Sequence, residues 1–213
     1  MGMVIAIMGE SGSGKTTSMR NIDPKTTFYI DADKKGLSWR NWRESFNKEA
    51  SNYRRTDVPK TALDCLIYVN TKSPQIRTVV VDTINGLMVA DEMRRSKEKG
   101  YDKWQDLAQS IYDLVDYALV CRDDLNIVFL CHTQTDRDDN GYLFTRIKTS
   151  GKKLDKITLE SKFNIVLLSK CVDGRYVFET SSKFSTAKTP MGMFENKEIE
   201  NDINIVLEAI SEY

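Results

Sequence analysis

The stretch Gly9-Glu10-Ser11-Gly12-Ser13-Gly14-Lys15-Thr16 follows directly on the apolar run Met3-Val4-Ile5-Ala6-Ile7-Met8. This is the full spacing of a phosphate loop, G-x-x-x-x-G-K-[ST], set where a strand ends and where Thr17-Ser18-Met19-Arg20 is expected to open a helix. The glycines let the backbone curl around a phosphate chain, so that successive N–H groups and the positive end of the helix face negative oxygens. The expected ligand is a nucleoside triphosphate, held by Gly9, Glu10, Ser11, Gly12, Ser13, Gly14, Lys15, Thr16 and Thr17. Lys15 would lie along the β- and γ-phosphates, and the Thr16 hydroxyl is offered to Mg²⁺. The bland alternative is a Gly/Ser turn between strand and helix.

With 213 residues, 40% hydrophobic and 29% charged, the chain is long enough for one α/β domain and too short for two of normal size. A single domain over residues 1–213 is expected. Lys plus Arg equal Asp plus Glu at 31 each, so no global positive field exists to hold nucleic acid, and any such binding needs a local patch or several subunits. Cys65, Cys121, Cys131 and Cys171 lie far apart and His132 is the only histidine, which leaves no zinc spacing and suggests buried, reduced thiols. No apolar run approaches a membrane span, and the chain enters a strand rather than a signal peptide, so a cytoplasmic location and no membrane partner are expected.

Apolar runs rich in β-branched residues alternate with helical stretches, the pattern of a mostly parallel sheet with helices on both faces. The expected strands are 3–8, 26–31, 77–82, 126–131 and 164–170, with a hairpin around Asp173-Gly174. Trp104, Leu107, Ala108, Ile111, Leu114, Val115, Ala118 and Leu119 share one helical face, as do Ile199, Ile203, Val206, Leu207 and Ile210; both stripes read as core.

Val79-Val80-Val81-Asp82 is an apolar strand ending in a carboxylate, which behind a phosphate loop is the expected Mg²⁺ partner of Thr16. Thr83 follows, so the tandem Asp-Glu typical of AAA+ motors is missing and a water-activating carboxylate must come from elsewhere. Phe28-Tyr29-Ile30-Asp31-Ala32-Asp33 supplies two acids on one side of the intervening strand's carboxyl end, the edge where open α/β sheets bind ligands.

This run resembles the RecA/Rad51 recombinase superfamily, whose corresponding strand ends in an aliphatic-Asp-x-acid pattern with the last acid as catalytic base. The resemblance makes Asp33 the base, with Asp where the family prefers Glu and one methylene less of reach. Val79 to Leu87 is similar to the family's second nucleotide motif and the helix after it. Ile127-Val128-Phe129-Leu130-Cys131-His132-Thr133-Gln134 looks like the strand ending in a polar γ-phosphate sensor, a role open to Gln134 or His132. The polar stretch from Thr135 to Gly151, then Lys152, Lys153 and Lys156, stands where the family contacts single-stranded DNA; Arg137, Arg146, Lys148, Lys152 and Lys153 are the DNA-binding candidates. The alternative there is a solvated β-hairpin turning at Asn140-Gly141. Ser182 to Gly192 resembles the basic segment that reaches a neighbouring subunit's triphosphate, with Lys188 the better finger and Lys183 the second.

Size and motifs look like the short phage recombination ATPases of the Sak-four group, often labelled phage nucleotide-binding protein. The resemblance implies a RecA-like P-loop fold and an ATPase that binds Mg-ATP and single-stranded DNA, acts as a homo-oligomer, and works with a single-strand-binding protein. A P-loop kinase of a small substrate and an ATP-gated binding module with negligible turnover stay open. So does the segment from Lys34 to Arg55, where Trp39, Trp42 and Phe46 either stack bases or face the core from an amphipathic helix.

Overall fold

A computed structural model describes residues 2–137, 141–150 and 158–213. Among these, nine strands form one sheet: β1 Val4–Gly9, β2 Thr27–Asp31, β3 Tyr53–Arg55, β4 Thr78–Asp82, β5 Asn126–Arg137, β6 Leu143–Ile147, β7 Ile165–Val172, β8 Arg175–Glu179 and β9 Glu198–Glu200. Their order is β3-β2-β4-β5-β1-β7-β8-β9, with β6 paired to β5. The first six strands of that order are mutually parallel, while β8, β9 and β6 join antiparallel. The mixed α/β architecture with a mostly parallel central sheet is that of a P-loop nucleotide-binding fold.

The central strands are apolar throughout because both faces are covered, and their period of two divides the core into two layers. Val4, Ala6, Met8, Val79, Val81, Ile127 and Phe129 face three helices, α2 Pro59–Lys72, α3 Ile84–Arg94 and α4 Tyr101–Ala118. Ile5, Ile7, Tyr29, Val80, Val128 and Leu130 face the other way, against α5 Ile203–Glu212. Both helical stripes read from the sequence are largely in these layers, but Trp104 and Leu119 are exposed and Ile199 belongs to β9. Of the cysteines, Cys131 is buried, Cys65 and Cys121 are half-buried, and Cys171 is exposed rather than buried. No helix among the described residues is long and apolar enough to cross a membrane.

Three local readings change. The expected helix after the phosphate loop is a single 3₁₀ turn, Thr17–Met19, with i to i−3 bonds from Met19, Arg20 and Ile22. Pro24 accounts for its brevity, since it disfavours helical backbone at Asp23 and closes the segment within two turns. The strand expected to end at 131 runs on to Arg137 and pairs with β6, so the described part of the expected loop takes the hairpin form that was the alternative reading there.

The aromatic segment is core, as one of the two readings had it, but not an amphipathic helix. It contains only the single turn α1 Trp42–Ser45, entered through a left-handed Asn41. Phe46 is 2% exposed and packs edge-on against Tyr29 at 5.7 Å and Trp39 at 6.1 Å between ring centroids. Among the described residues this face carries α5 where the other carries three helices, and Tyr29, Phe46 and Trp39 join the same apolar layer. Phe46→Ala is therefore expected to destabilise the protein by about 3–5 kcal/mol, read as a lower midpoint in chemical denaturation. A loss under about 0.5 kcal/mol, the level of an ordinary surface change, would return the segment to the surface reading.

Candidate active site

The phosphate loop, Asp82 and Asp33 meet at the carboxyl edge of the parallel strands. The sheet order sets β5 between β1 and β4, with Gly9 in register with His132, so the end of β5 stands between the loop and Asp82. Thr16 Oγ1 donates to Asp82 Oδ2 at 2.8 Å, and the Tyr29 hydroxyl donates to the same oxygen at 2.8 Å. Asp82 Oδ1 is buried and has no hydrogen-bond partner among the described residues. Burial raises the Asp82 carboxyl above its ordinary pKa, and the bonds from Tyr29 and Thr16 only partly offset this. A carboxylate with one satisfied and one orphaned oxygen beside a threonine hydroxyl fits a hard cation that takes oxygen ligands. Thr16 and Asp82 are the residues that would hold Mg²⁺.

The loop is held open from below. The Ser169 hydroxyl donates to Ser13 O at 2.7 Å, Asn201 donates to Ser169 at 3.0 Å, and Thr133 donates to the Glu10 carboxylate at 2.6 Å. Gly12 and Gly14 have φ of +80 and +96, so the loop needs glycine there. The Lys15 ammonium folds back on the carbonyls of Gly9 and Glu10, both at 2.7 Å. Burial lowers its pKa, with Asp82 pulling in the opposite direction. Those two bonds are what a phosphate oxygen would replace.

Ser11, Gly12, Gly14, Lys15, Thr16 and Thr17 line a cavity of about 340 Å³ together with Lys35, Ser38, Thr83, His132 and Tyr176. Past Thr17 and Tyr176 it borders a second cavity of about 640 Å³, lined by Arg20, Arg175 and Asn201 among others. The first is polar and basic, suited to phosphates. The second offers room for a nucleoside.

Asp31 and Asp33 separate in role. Asp31 is buried and accepts from Tyr53 at 2.6 Å and from the Gly36 amide at 2.9 Å, a structural carboxylate. Asp33 stands behind two residues that line the cavity: Thr83 donates to its Oδ1 at 2.9 Å, and Lys35 Nζ lies 2.6 Å from its Oδ2. Burial acts to raise its pKa, but the bond and charge of Lys35 outweigh this and hold it below the ordinary carboxylate value. A Cβ on Gly86 would stand 2.3 Å from Asp33 Oδ1, so any other residue here would push that carboxylate aside. Thr83, where AAA+ motors carry a second acid, instead orients Asp33.

A family model described as an AAA domain matches residues 1–190. The chain belongs to that family. This AAA domain is a P-loop AAA-type ATPase, although Asp82 is followed by Thr83 rather than a second acid. Its family assignment is thus broader than the recombinase likeness read from the motifs. A comparison with curated proteins gives no match.

Of the two sensor candidates, His132 lines the phosphate cavity of the AAA domain, while Gln134 donates to Asp136 at 3.0 Å. Burial, then the charge of Lys15, lowers the His132 pKa and keeps the imidazole neutral at pH 7. Lys188 pairs by its backbone with Val166 and projects an exposed side chain, and Lys183 is also exposed; neither lines the cavity. Arg137 and Lys148 are exposed. Arg146 is ion-paired with Asp136 and largely covered. Lys152, Lys153 and Lys156 lie outside the described residues.

Several site residues were not read from the sequence. Tyr29 looks like a core aromatic until its hydroxyl meets Asp82 across the sheet. Asn85, which accepts from the His132 amide at 2.7 Å and donates to Lys148 O at 2.7 Å, is an ordinary helix residue in sequence. Lys35 and Tyr176 carry no motif; for Gly86, a glycine inside a helical stretch was the available signal.

Because the folded state raises the Asp82 pKa, it holds that proton more tightly than the unfolded chain. The contribution of Asp82 to stability therefore falls as pH rises from about 4 through the folded value. Asp82→Asn should raise the melting temperature of nucleotide-free protein by about 2–4 °C per kcal/mol recovered while removing Mg²⁺-dependent ATP binding. A lower melting temperature with Mg²⁺ dependence intact would refute the assignment.

Proposed function

We propose that this AAA domain is a Mg²⁺-dependent ATPase of DNA recombination, RecA-like in arrangement and similar to the short phage recombination ATPases, that binds single-stranded DNA as a homo-oligomer and is served by a single-strand-binding protein. The observation carrying the ATPase part is the 2.8 Å bond from Thr16 to a carboxylate whose other oxygen is buried and unpaired.

When ATP enters, Lys15 exchanges the carbonyls of Gly9 and Glu10 for phosphate oxygens, while the loop amides and Thr17 hold the phosphate chain. Mg²⁺ bound at Thr16 and Asp82 would neutralise charge on the β- and γ-phosphate oxygens. Asp33, ionised and aimed by Thr83, accepts a hydrogen bond from the attacking water and takes its proton. Neutral His132 is close enough to the cavity to sense the γ-phosphate.

The DNA part is supported by continuity of β5, a single strand with His132 in the cavity and Arg137 at the base of the hairpin turn. Asn85 ties the amide of His132 to the carbonyl of Lys148, so a shift at the cleft is passed to both arms of the hairpin. The exposed Lys188, away from its own cavity, is free to serve another copy's triphosphate. The ion pair on Asp33 favours one second reading, an ATP-gated binding module with little turnover.

ATP hydrolysis measured with and without single-stranded DNA separates these. DNA-stimulated turnover, abolished in a folded Lys15→Ala variant, is expected. Arg137→Ala/Lys148→Ala should flatten the salt dependence of DNA binding by up to about 1.4 in log K against log salt, two single-strand phosphate contacts. ATP binding without turnover under either condition would favour the gated module, and a parental salt slope would remove the hairpin from the DNA site.

A further inference from the structure

Two consecutive lysines follow Asp33, and the fold gives them different surroundings. Lys34 has a left-handed φ of +58 and its ammonium is bound to Asp57 at 2.5 Å, with Arg94 on the same carboxylate. Gly36 has φ of +83, gives its amide to the buried Asp31, and packs where a Cβ would come within 2.8 Å of the Trp42 ring. The turn is therefore anchored on both sides of Lys35, and only Lys35 is directed into the phosphate cavity, beside Lys15, Thr16 and His132. Its side chain is 50% exposed and its ammonium is 2.6 Å from Asp33 Oδ2.

We propose that Lys35 is a triphosphate-sensing cation that acts within its own subunit: it holds Asp33 while the γ-phosphate position is empty and transfers to the γ-phosphate when ATP is bound. This rests on the ATP-site reading above. A lysine ammonium is a compact charge on a flexible stem, able to change partners without moving the backbone. A terminal phosphate carries more charge than a carboxylate and accepts strong charge-assisted bonds, so it competes well for the same ammonium. ADP lacks the group that would draw Lys35 away, and with ADP bound Asp33 stays engaged. Asp33 thus becomes free to position water only when there is a γ-phosphate to cleave. The device also accounts for an acid at the base position that is bonded to a lysine of its own turn.

The test is calorimetric binding of ADP and of a slowly hydrolysed ATP analogue, with Mg²⁺, to the full chain and to Lys35→Ala and Lys35→Arg, alongside steady-state turnover. Loss of one charge-assisted contact to the γ-phosphate should cut the triphosphate preference of Lys35→Ala by about tenfold or more while ADP affinity stays within about twofold. Its kcat should fall, and Lys35→Arg should keep most of the preference. Should Lys35→Ala lose its fold, Lys35→Gln carries the same comparison, with melting temperature as the control. An unchanged triphosphate preference overturns the proposal. So does a kcat that rises on removing Lys35, which would make the lysine only a block on Asp33. Wild-type protein that binds neither nucleotide would overturn the ATP-site reading as well, a result distinct from the other two.

Discussion

Asp82 sets the constraint around which this molecule is arranged. A carboxylate 1% exposed to solvent loses its hydration and must be compensated by its neighbours. Tyr29 from β2 and Thr16 from the phosphate loop satisfy one oxygen; the other is left without a partner among the described residues. A cation between Thr16 and Asp82 would complete the set.

Everything that meets Asp82 arrives there through sheet register. β1 delivers the loop, β2 delivers Tyr29 and Asp33, and β5 lies between β1 and β4 with His132 at its end. The loop is steadied from the far side of β1, where Ser169 donates to Ser13 O and Asn201 donates to Ser169. With only a 3₁₀ turn behind it, the loop relies on its amides and on Lys15 rather than on the dipole of a long helix.

The parallel core and the phosphate loop were legible because their signals are local: runs of Val and Ile, a fixed glycine spacing, an acid closing a strand. Tyr29, Gly86 and Lys35 were not, since what distinguishes them is a contact with a residue distant in sequence or a turn whose anchors, Asp57 and Trp42, lie elsewhere. The aromatic segment was readable as core from the 3 and 4 spacing of Trp39, Trp42 and Phe46. Its backbone was not, because the rings pack on Tyr29 and Tyr53, residues that the 3 and 4 spacing does not reveal. Period-two alternation put Asp31 and Asp33 together at the strand end, yet only the contacts of Tyr53 with one and Thr83 with the other tell the structural acid from the reactive one.

The most direct measurement is the Mg²⁺ dependence of binding of a slowly hydrolysed ATP analogue, by calorimetry, to wild-type protein and to Thr16→Val. Mg²⁺ should tighten binding to the wild type by about tenfold or more, the scale of one charge-assisted contact, and should have little effect on Thr16→Val. Equal affinity for the wild type with Mg²⁺ and with chelator would contradict the role given to Thr16 and Asp82.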